Sequence, residues 1–307
     1  MRCGIARFTD QVGQLWNSLA RYFLLKGNFG RARDVHVEAL ASVRTVRDFA
    51  IVFDAFAKME EDVLMVFMNR LQNSTSPDDQ VDEVDVDFLM ASFERLMKQR
   101  PVLLNDVLIR QNPHNTSNWT ARVKLYQDVK ATPASIVEVY QLAVKTVSPF
   151  RSEGRLCQLW VDFACYHENA GALVDARKVF MEASQVQFKN VDDLAFIWCQ
   201  YAEMELRAEN YKLALQVVGN ATSPIRGDSS IRYNDETRTP QERLFKCVKL
   251  WSFYVDLEES IGTVEGAKVA YDRILELKIA TPQIIINYAS FLEEQKYFED
   301  VRHNLII

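Results

Sequence analysis

Pairs of adjacent carboxylates are the residues of this sequence that most resemble catalytic groups. Examples are Glu60 with Glu61, Glu258 with Glu259, and Glu293 with Glu294. Two neighbouring carboxylates can share acid–base chemistry when their environments separate their pKa values. These pairs recur at corresponding points of a repeated pattern, whereas an active site occurs once. We therefore interpret them as polar helix ends.

Metal-ligand and cofactor motifs are equally weak. The five Cys and four His are scattered without a C-x-x-C pair or zinc-site spacing. Glu83, Asp85, Asp87 and Glu94 match four positions of a calcium loop, but Phe88 stands where that loop needs Gly. The phosphate-loop, dinucleotide, nucleophile-elbow and H-E-x-x-H motifs do not occur in the sequence. The sequence predicts no metal, no cofactor and no enzyme.

An internal repeat organises the chain. Each copy opens with a Trp or other large residue, and a small residue begins its second half sixteen positions later. The four clearest copies carry these residues as Trp16 and Ala32, Trp160 and Ala176, Trp198 and Ala214, and Trp251 and Ala267. With weaker copies included, units start near residues 16, 53, 119, 160, 198, 251 and 285. Most of the spacings are typical of solenoids built from paired helices.

The spacing within a copy has a physical interpretation. Apolar residues at the Trp and three and four positions later share one helical face, and a second set shares the face of a second helix. Small residues allow the paired helices to approach closely, and the aromatics are predicted to fill the space between neighbouring pairs. Gly27, Gly171 and Gly262 stand where the first helix ends and are predicted to be left-handed. The Trp residues recur once per copy, so we interpret them as core packing rather than as a ligand platform.

Two stretches interrupt the repeat. Residues 73–87 are polar and acidic and are predicted to be a linker, and residues 222–240 are predicted to be an inserted loop. Both are expected to be mobile at the surface. Basic and acidic residues alternate from Arg226 to Lys249, which favours a solvated loop and helix start; an RNA contact is the alternative.

Composition limits the function classes. Hydrophobic residues make up 48% and charged residues 25% of the 307, which is typical of a folded, soluble protein. No apolar run has the length of a membrane span, and the first ten residues lack a signal peptide's apolar stretch, so an intracellular protein without a membrane partner is predicted. The net charge of −6 has the wrong sign for a general nucleic-acid binder.

A family resemblance emerges from these patterns. The order W-x-x-[FYL]-A, then G, then A-R resembles the half-a-TPR, or HAT, repeat of RNA-processing scaffolds. The strings "FTDQVGQLW", "TVRDFAIVFDAFAKMEE", "RPVLLNDVLIRQNPHN", "VDDLAFIWCQYAEMELRAENY" and "DRILELKIATPQIIINYASFLEEQKYFE" resemble consecutive segments of the Syf-one, or XPA-binding protein two, family of splicing factors. The resemblance runs from Phe8 to about Asp300. It implies one all-α solenoid over residues 8–300, a right-handed superhelical array of HAT helix pairs.

The resemblance also implies a function. Family members are non-catalytic scaffold subunits of the spliceosome's Prp19-associated assembly in the nucleus, with a second role in transcription-coupled DNA repair. The implied partners are a crooked-neck-like HAT protein and Prp19-complex subunits. Members are much longer, and the last copy here stops before its second helix is complete, so we expect an internal fragment or a truncated product.

Two other function classes remain open at the level of the residues. One is a TPR-like adaptor that binds peptides, although no recurring Lys and Asn set for clamping a carboxylate is found. The other is a scaffold of RNA 3′-end processing, with a local or indirect RNA contact, against which the acidic balance counts.

Overall fold

The computed structural model describes residues 10–73, 83–224 and 231–295. Every regular element in these ranges is helical, as the all-α prediction requires. By its contacts the chain divides into two compact units, Met1–Thr146 and Val147–Ile307, and the single array over residues 8–300 stays a prediction. The physical reason for the division is that each repeat of a solenoid contacts only its neighbours, so a long array lacks one common core. The superhelical handedness remains a prediction.

The described residues of unit 1, which is Met1–Thr146, form three helix pairs. Its helices are α1 (Val12–Leu25), α2 (Phe29–Ser42), α3 (Val46–Asn73), α4 (Glu83–Gln111), α5 (Thr116–Asp128) and α6 (Pro133–Thr146). Each odd-numbered helix packs against the next one, α1 and α2 also pack on α3, and α4 packs on α5. Trp16, Ala32, Phe53 and Val107 lie in the shared core of the first two pairs. The pairs therefore stack as the repeat predicts.

Unit 2, which is Val147–Ile307, continues the same construction with an interruption. Its helices are α7 (Leu156–Asn169), α8 (Leu173–Gln185), α9 (Val191–Arg207), α10 (Tyr211–Thr222), the short α11 (Pro240–Arg243), α12 (Val248–Ile261), α13 (Val264–Glu276) and α14 (Pro282–Glu294), with a 3₁₀ turn at Leu244–Lys246. α7 pairs with α8, α9 with α10 and α12 with α13. α9 also packs on α7 and α8, and α12 packs on α10. The second half of the last copy falls within residues 296–307, which lie outside the described ranges.

Helix starts follow local side-chain chemistry. The Asn28 side chain accepts a hydrogen bond from the Arg31 N–H at the start of α2, and Asn115 caps α5 in the same way. Thr239 and Glu242 form a reciprocal capping box on α11. Thr281 caps α14, and Pro282 is the first residue of that helix. These caps satisfy backbone N–H groups that have no partner inside the helix.

The predicted helix-ending glycines divide into two kinds. Gly27 and Gly171 have φ values of +71° and +76°, in the left-handed region that favours Gly. Gly262 has a φ of −86°, so the prediction of a left-handed residue is wrong there. A Cβ at Gly262 would collide with the Glu258 carboxylate. Glycine is therefore needed at position 262 because the Glu258 side chain occupies the space that a Cβ would take, and not because of the backbone angle.

The first predicted interruption, residues 73–87, is shorter than expected because its last five residues are helical. α4 begins at Glu83, so residues 83–87 are helical rather than part of a linker, and the carboxylates of the calcium-loop pattern lie on a helix. Val86 is buried, and acidic residues are favourable at a helix N-terminus, which explains the extension. Residues 74–82 and 225–230 lie outside the described ranges. Within the part that is described, no helix combines the length and apolarity that a membrane span requires.

Candidate protein-interaction site

The repeat positions predicted from the sequence lie in the first and second helices of successive pairs. Trp16, Trp160 and Trp251 are buried, with 5%, 5% and 3% of their surface exposed. The four small residues Ala32, Ala176, Ala214 and Ala267 are fully buried. Trp198 is only half-buried, although Leu194 and Ile197 on the same helix are buried. The eight residues are spread along both units and do not converge on one ligand site.

Ring stacks join successive repeats. In each stack, the ring twenty positions after the opening residue of one copy lies nearly parallel to the ring three positions after the opening residue of the next copy. The three stacks are His36 on Phe56 at 5.2 Å between ring centroids, Phe180 on Tyr201 at 5.2 Å and Tyr271 on Tyr288 at 4.4 Å. Each stack covers a ring of the following helix pair and so fixes how neighbouring pairs meet.

A buried ion pair accompanies two of these stacks. Arg33 donates from Nε and Nη2 to the Glu60 carboxylate at 2.7 and 2.5 Å, and Arg177 holds Glu205 at 2.7 and 2.9 Å. Only 4% of Glu60 and none of Glu205 is exposed. The interpretation of Glu60 as a polar helix end is therefore wrong. A carboxylate removed from water needs a bidentate cation, which is what the Arg after the small residue supplies.

Glu258 lies at the same repeat position as Glu60 and Glu205 but has different neighbours. Glu258 is 9% exposed, and Leu215 occupies the place where the preceding repeat would supply an Arg. Burial, together with a hydrogen bond to Glu258, raises the pKa of Tyr254 to about 12. The glycines at 262 and 266 leave room for the carboxylate. Glu258 was also predicted to be a polar helix end, and its burial corrects that prediction.

His36 makes the first joint sensitive to acid. It is 2% exposed, its Nδ1 has no hydrogen-bond partner, and burial lowers its pKa to about 4. An unfolded His titrates near about 6.5, so the unfolded chain binds the proton first as the pH falls. The stability that neutral His36 contributes is present above about pH 6.5 and is lost between about pH 6.5 and about pH 4. Glu60, which Arg33 holds, is a charged group that acts on His36, and its carboxylate partly opposes the lowering of the pKa.

We expect His36→Phe to weaken this pH dependence. Phe180 stacks on Tyr201 at the corresponding joint, so a Phe at position 36 can keep the stack without the titrating group. Urea midpoints measured at about pH 7.5 and about pH 4.5 should differ less for the variant than for the natural chain. Equal differences would show that His36 is not the group responsible.

Residues 100–115, the string "RPVLLNDVLIRQNPHN", do not follow from the repeat pattern, and a polar network explains them. Arg110, near the end of α4, donates to the carbonyl oxygens of Leu40, Ala41 and Val43 at 2.9, 2.5 and 2.8 Å. These carbonyls lie at the C-terminal end of α2, where helix carbonyls lack partners. Burial lowers the pKa of Arg110. Arg110 therefore ties the second helix pair to the first through the backbone.

Residues 100–115 also attach α4 to α5. Asn105, 4% exposed, donates to the Asn118 carbonyl at 2.9 Å, and Asn118 donates back to the Leu108 carbonyl at 3.3 Å. The Trp119 indole N–H donates to the Pro113 carbonyl at 2.9 Å. Sequence reasoning treated these residues only as a family signature, because their partners are set by the packing of three helices.

An apolar groove lies between the first two helix pairs, and we call it the unit 1 groove. It has a volume of about 550 Å³. Its apolar lining comes from the ends of α1 and α2 and from α3 and α4, and consists of Leu24, Phe29, Met59, Val63, Val66, Phe67 and Leu89. Asp62 and Arg70 lie at its edge, and Phe29 and Val66 are 55% and 48% exposed. An apolar groove between helices with a charged edge suits an amphipathic helix of another protein.

The described residues offer no alternative site with metal chemistry. No group of three or more His, Cys, Asp or Glu within residues 10–73, 83–224 and 231–295 is arranged to hold a metal ion. Stacked helix pairs with repeated joints define a helical-repeat protein, and its exposed faces are candidate interaction surfaces.

Comparison with known proteins identifies the family. The family model described as the middle HAT repeat of pre-mRNA-splicing factor SYF1 matches residues 1–147, and the model described as the C-terminal HAT repeat of pre-mRNA-splicing factor Syf1/CRNKL1 matches residues 149–303. The chain belongs to the Syf1 family of HAT-repeat proteins. The two matches meet where the two compact units meet.

Individual relatives cover nearly the whole chain. Pre-mRNA-splicing factor SYF1 of Homo sapiens is 48% identical over 98% of this chain and 34% of the relative. The syf1 homolog of Drosophila melanogaster is 48% identical over 98% and 33%, and cwf3 of Schizosaccharomyces pombe is 43% identical over 97% and 37%. The chain thus spans about a third of the length of the curated relatives it matches.

Proposed function

We propose that this chain is a non-catalytic scaffold that acts in pre-mRNA splicing in the nucleus. The observation that carries the proposal is family membership across both units, together with relatives named as pre-mRNA-splicing factors. The proposed partners are spliceosomal proteins, including a crooked-neck-like HAT protein and Prp19-complex subunits. A second role in transcription-coupled DNA repair is proposed on the family resemblance alone.

The joints between repeats give the proposal a physical basis. A scaffold binds with less entropic cost when its surface is already held in the bound arrangement. The Arg33–Glu60 pair, the His36–Phe56 stack and Arg110 together fix the first two helix pairs of unit 1. The unit 1 groove lies between those pairs, so its shape is set before a partner arrives.

Capture of proteins from nuclear extract tests the proposal. The immobilised chain should retain spliceosomal proteins that mass spectrometry identifies, and Phe29→Asp combined with Val66→Asp should reduce that recovery at least about tenfold, because a charge buried in an apolar interface lacks a partner. Val174→Asp and Val269→Asp are the matched controls, since these residues are 63% and 68% exposed and lie outside the groove.

Each other outcome selects a different function. Recovery of chaperones would favour the TPR-like adaptor, and recovery of 3′-end processing factors would favour that scaffold. Recovery of none of these proteins would overturn the splicing proposal. Equal loss with the groove variants and with the two control variants would overturn the assignment of the groove.

A further inference from the structure

The insertion that interrupts the repeat builds one wall of a second groove, which we call the insert groove. It lies in unit 2 and has a volume of about 700 Å³. One wall is the α8–α9 connection with the start of α9, residues 187–192, and the other is the described part of the insertion, residues 233–240. Phe150 and Arg243 complete the lining. The repeat itself does not need this stretch, because the other copies pair their helices without it.

Hydrogen bonds hold the insertion against α9 and its neighbours. The Tyr233 hydroxyl donates to Asp192 at 2.8 Å, and the Gln241 side chain donates to the Val186 carbonyl at 2.8 Å. The capping box of Thr239 and Glu242 closes the far end. Hydrogen bonds anchor the stretch 231–240 at these points, while Arg232, Asn234, Glu236, Thr237 and Arg238 are exposed, as the prediction of a solvated loop requires. Its mobility stays a prediction.

Arg243 is a buried cation that forms no direct ion pair among the described residues, although the Asp235 carboxylate lies near enough to interact with it electrostatically. It is 9% exposed and lines the insert groove, yet its Nη1 donates only to the Tyr233 carbonyl at 3.1 Å and its Nε has no partner. Within the described ranges it forms no ion pair with a carboxylate, unlike Arg33 and Arg177. An unpaired buried guanidinium is costly, and a bound carboxylate would remove that cost.

The remaining charges of the groove favour an acidic ligand. Lys189 and Arg238 line it and form no ion pair with any carboxylate that the structure describes. Asp192 is already held by the Lys249 ammonium at 2.6 Å, which keeps the pKa of that carboxyl below its usual range. Glu236 and its neighbour Asp235 are the carboxylates of this wall that no lysine holds, and Thr237 donates two hydrogen bonds to Asp235. The three cations Lys189, Arg238 and Arg243 outnumber these two carboxylates.

We propose that the insert groove binds an acidic segment of a partner protein. An Asp or Glu carboxylate of that segment accepts hydrogen bonds from Arg243, with Lys189 and Arg238 adding attraction at the edge. Phe150, 70% exposed, receives an apolar side chain beside the carboxylate. A nucleic-acid backbone is the alternative ligand, and the experiment below distinguishes the two. The inference deepens the proposed scaffold function by assigning a partner chemistry to one surface.

Fluorescence anisotropy on the full chain tests the groove. The probe is a short fluorescein-labelled peptide of alternating Glu and Phe, and its control has Gln in place of every Glu. We expect the Glu peptide to bind at least about tenfold more tightly than the Gln peptide, and Lys189→Glu with Arg238→Glu to abolish that preference. Lys212→Glu is the matched charge reversal, because Lys212 is exposed on α10 outside the groove.

Arg243→Met tests the centre of the groove. It should lower the affinity for the Glu peptide at least about tenfold while leaving weak binding of the Gln peptide unchanged. If Arg243→Met does not fold, as judged by circular dichroism, the two surface reversals decide the question. Equal binding of both peptides, the same loss with Lys212→Glu, no binding of the Glu peptide, or tighter binding of oligouridine than of the Glu peptide would each overturn the proposal.

The two proposals fail separately. The peptide titration uses purified chain and does not depend on spliceosomal proteins, so failed capture from nuclear extract with a positive titration would remove the splicing role and leave the groove. Successful capture that survives Lys189→Glu with Arg238→Glu, together with a negative titration, would remove the groove and leave the scaffold.

Discussion

Arg177→Ala is expected to destabilise unit 2 by about 3 kcal/mol, because it leaves the fully buried Glu205 carboxylate without its cation. Among the described residues, the Asn210 side chain, 3.1 Å from Glu205 Oε2, is the hydrogen-bond donor that remains. Since repeat proteins need not unfold in one step, the quantity to compare is the midpoint of the unit 2 transition in urea. Far-ultraviolet circular dichroism follows that transition.

Arg207→Ala is the matched control for this prediction. Arg207 holds Glu168 in the same bidentate geometry, at 2.7 and 2.9 Å, but it is 46% exposed and Glu168 is 18% exposed. Water can solvate both groups, so the loss should be about 0–1 kcal/mol. Similar losses for the two variants would show that burial of Glu205 does not set the cost.

A compensating change sharpens the test. Glu205→Leu in the Arg177→Met background removes both charges, and the double variant should recover most of the stability lost on removing Arg177 alone. Failure to recover would show that the Arg177 stem, rather than the charge pair, stabilises the joint between the repeats.

Ala176→Trp is expected to disrupt folding of the helix pairs around α8. Ala176 is fully buried on α8, which packs against α7 and α9. An indole at this position overpacks the contact by at least about 1–3 kcal/mol. Because each repeat is stabilised by its interfaces with neighbours, the damage should extend to the following pair, α9 and α10. A thermal melt followed by circular dichroism should show lost helix and a lowered midpoint.

Val174→Trp supplies the comparison on the same helix. Val174 is 63% exposed two residues earlier, so the same indole there has room in solvent. This variant should melt within a few degrees of the natural chain, as surface substitutions usually cost less than about 0.5 kcal/mol. A melt of Ala176→Trp as unperturbed as this control would contradict the placement of Ala176 at a close helix contact.

The periodic part of the architecture follows from the sequence alone. The recurrence of Trp16, Trp160 and Trp251 with small residues sixteen positions later predicts helix pairs, and the structure buries those residues in the two halves of successive pairs. This succeeds because burial of one helix face is a local requirement, written within each copy at helical spacing. The family resemblance likewise depended on contiguous strings and was confirmed by comparison.

Contacts between copies were decided by the tertiary structure. Arg177 and Glu205 are 28 residues apart in different repeats, and no periodicity within one copy indicates that they meet. The A-R pair was visible in the sequence, but its partner required knowing which turns of two stacked helices lie opposite each other. Glu60 was assigned to solvent for the same reason.

The insertion also shows that burial of individual charged residues could not be predicted from the sequence. Alternating charges from Arg226 to Lys249 predict solvent exposure, yet Tyr233 bonds to α9 and Arg243 is buried beside it. Charge patterning reports the average cost of burial, whereas the location of each charge depends on the partners that folding brings near. The sequence by itself determined the stacked helix pairs and the family; packing between repeats determined the joints and the grooves, because those sites are made of residues that only the fold places together.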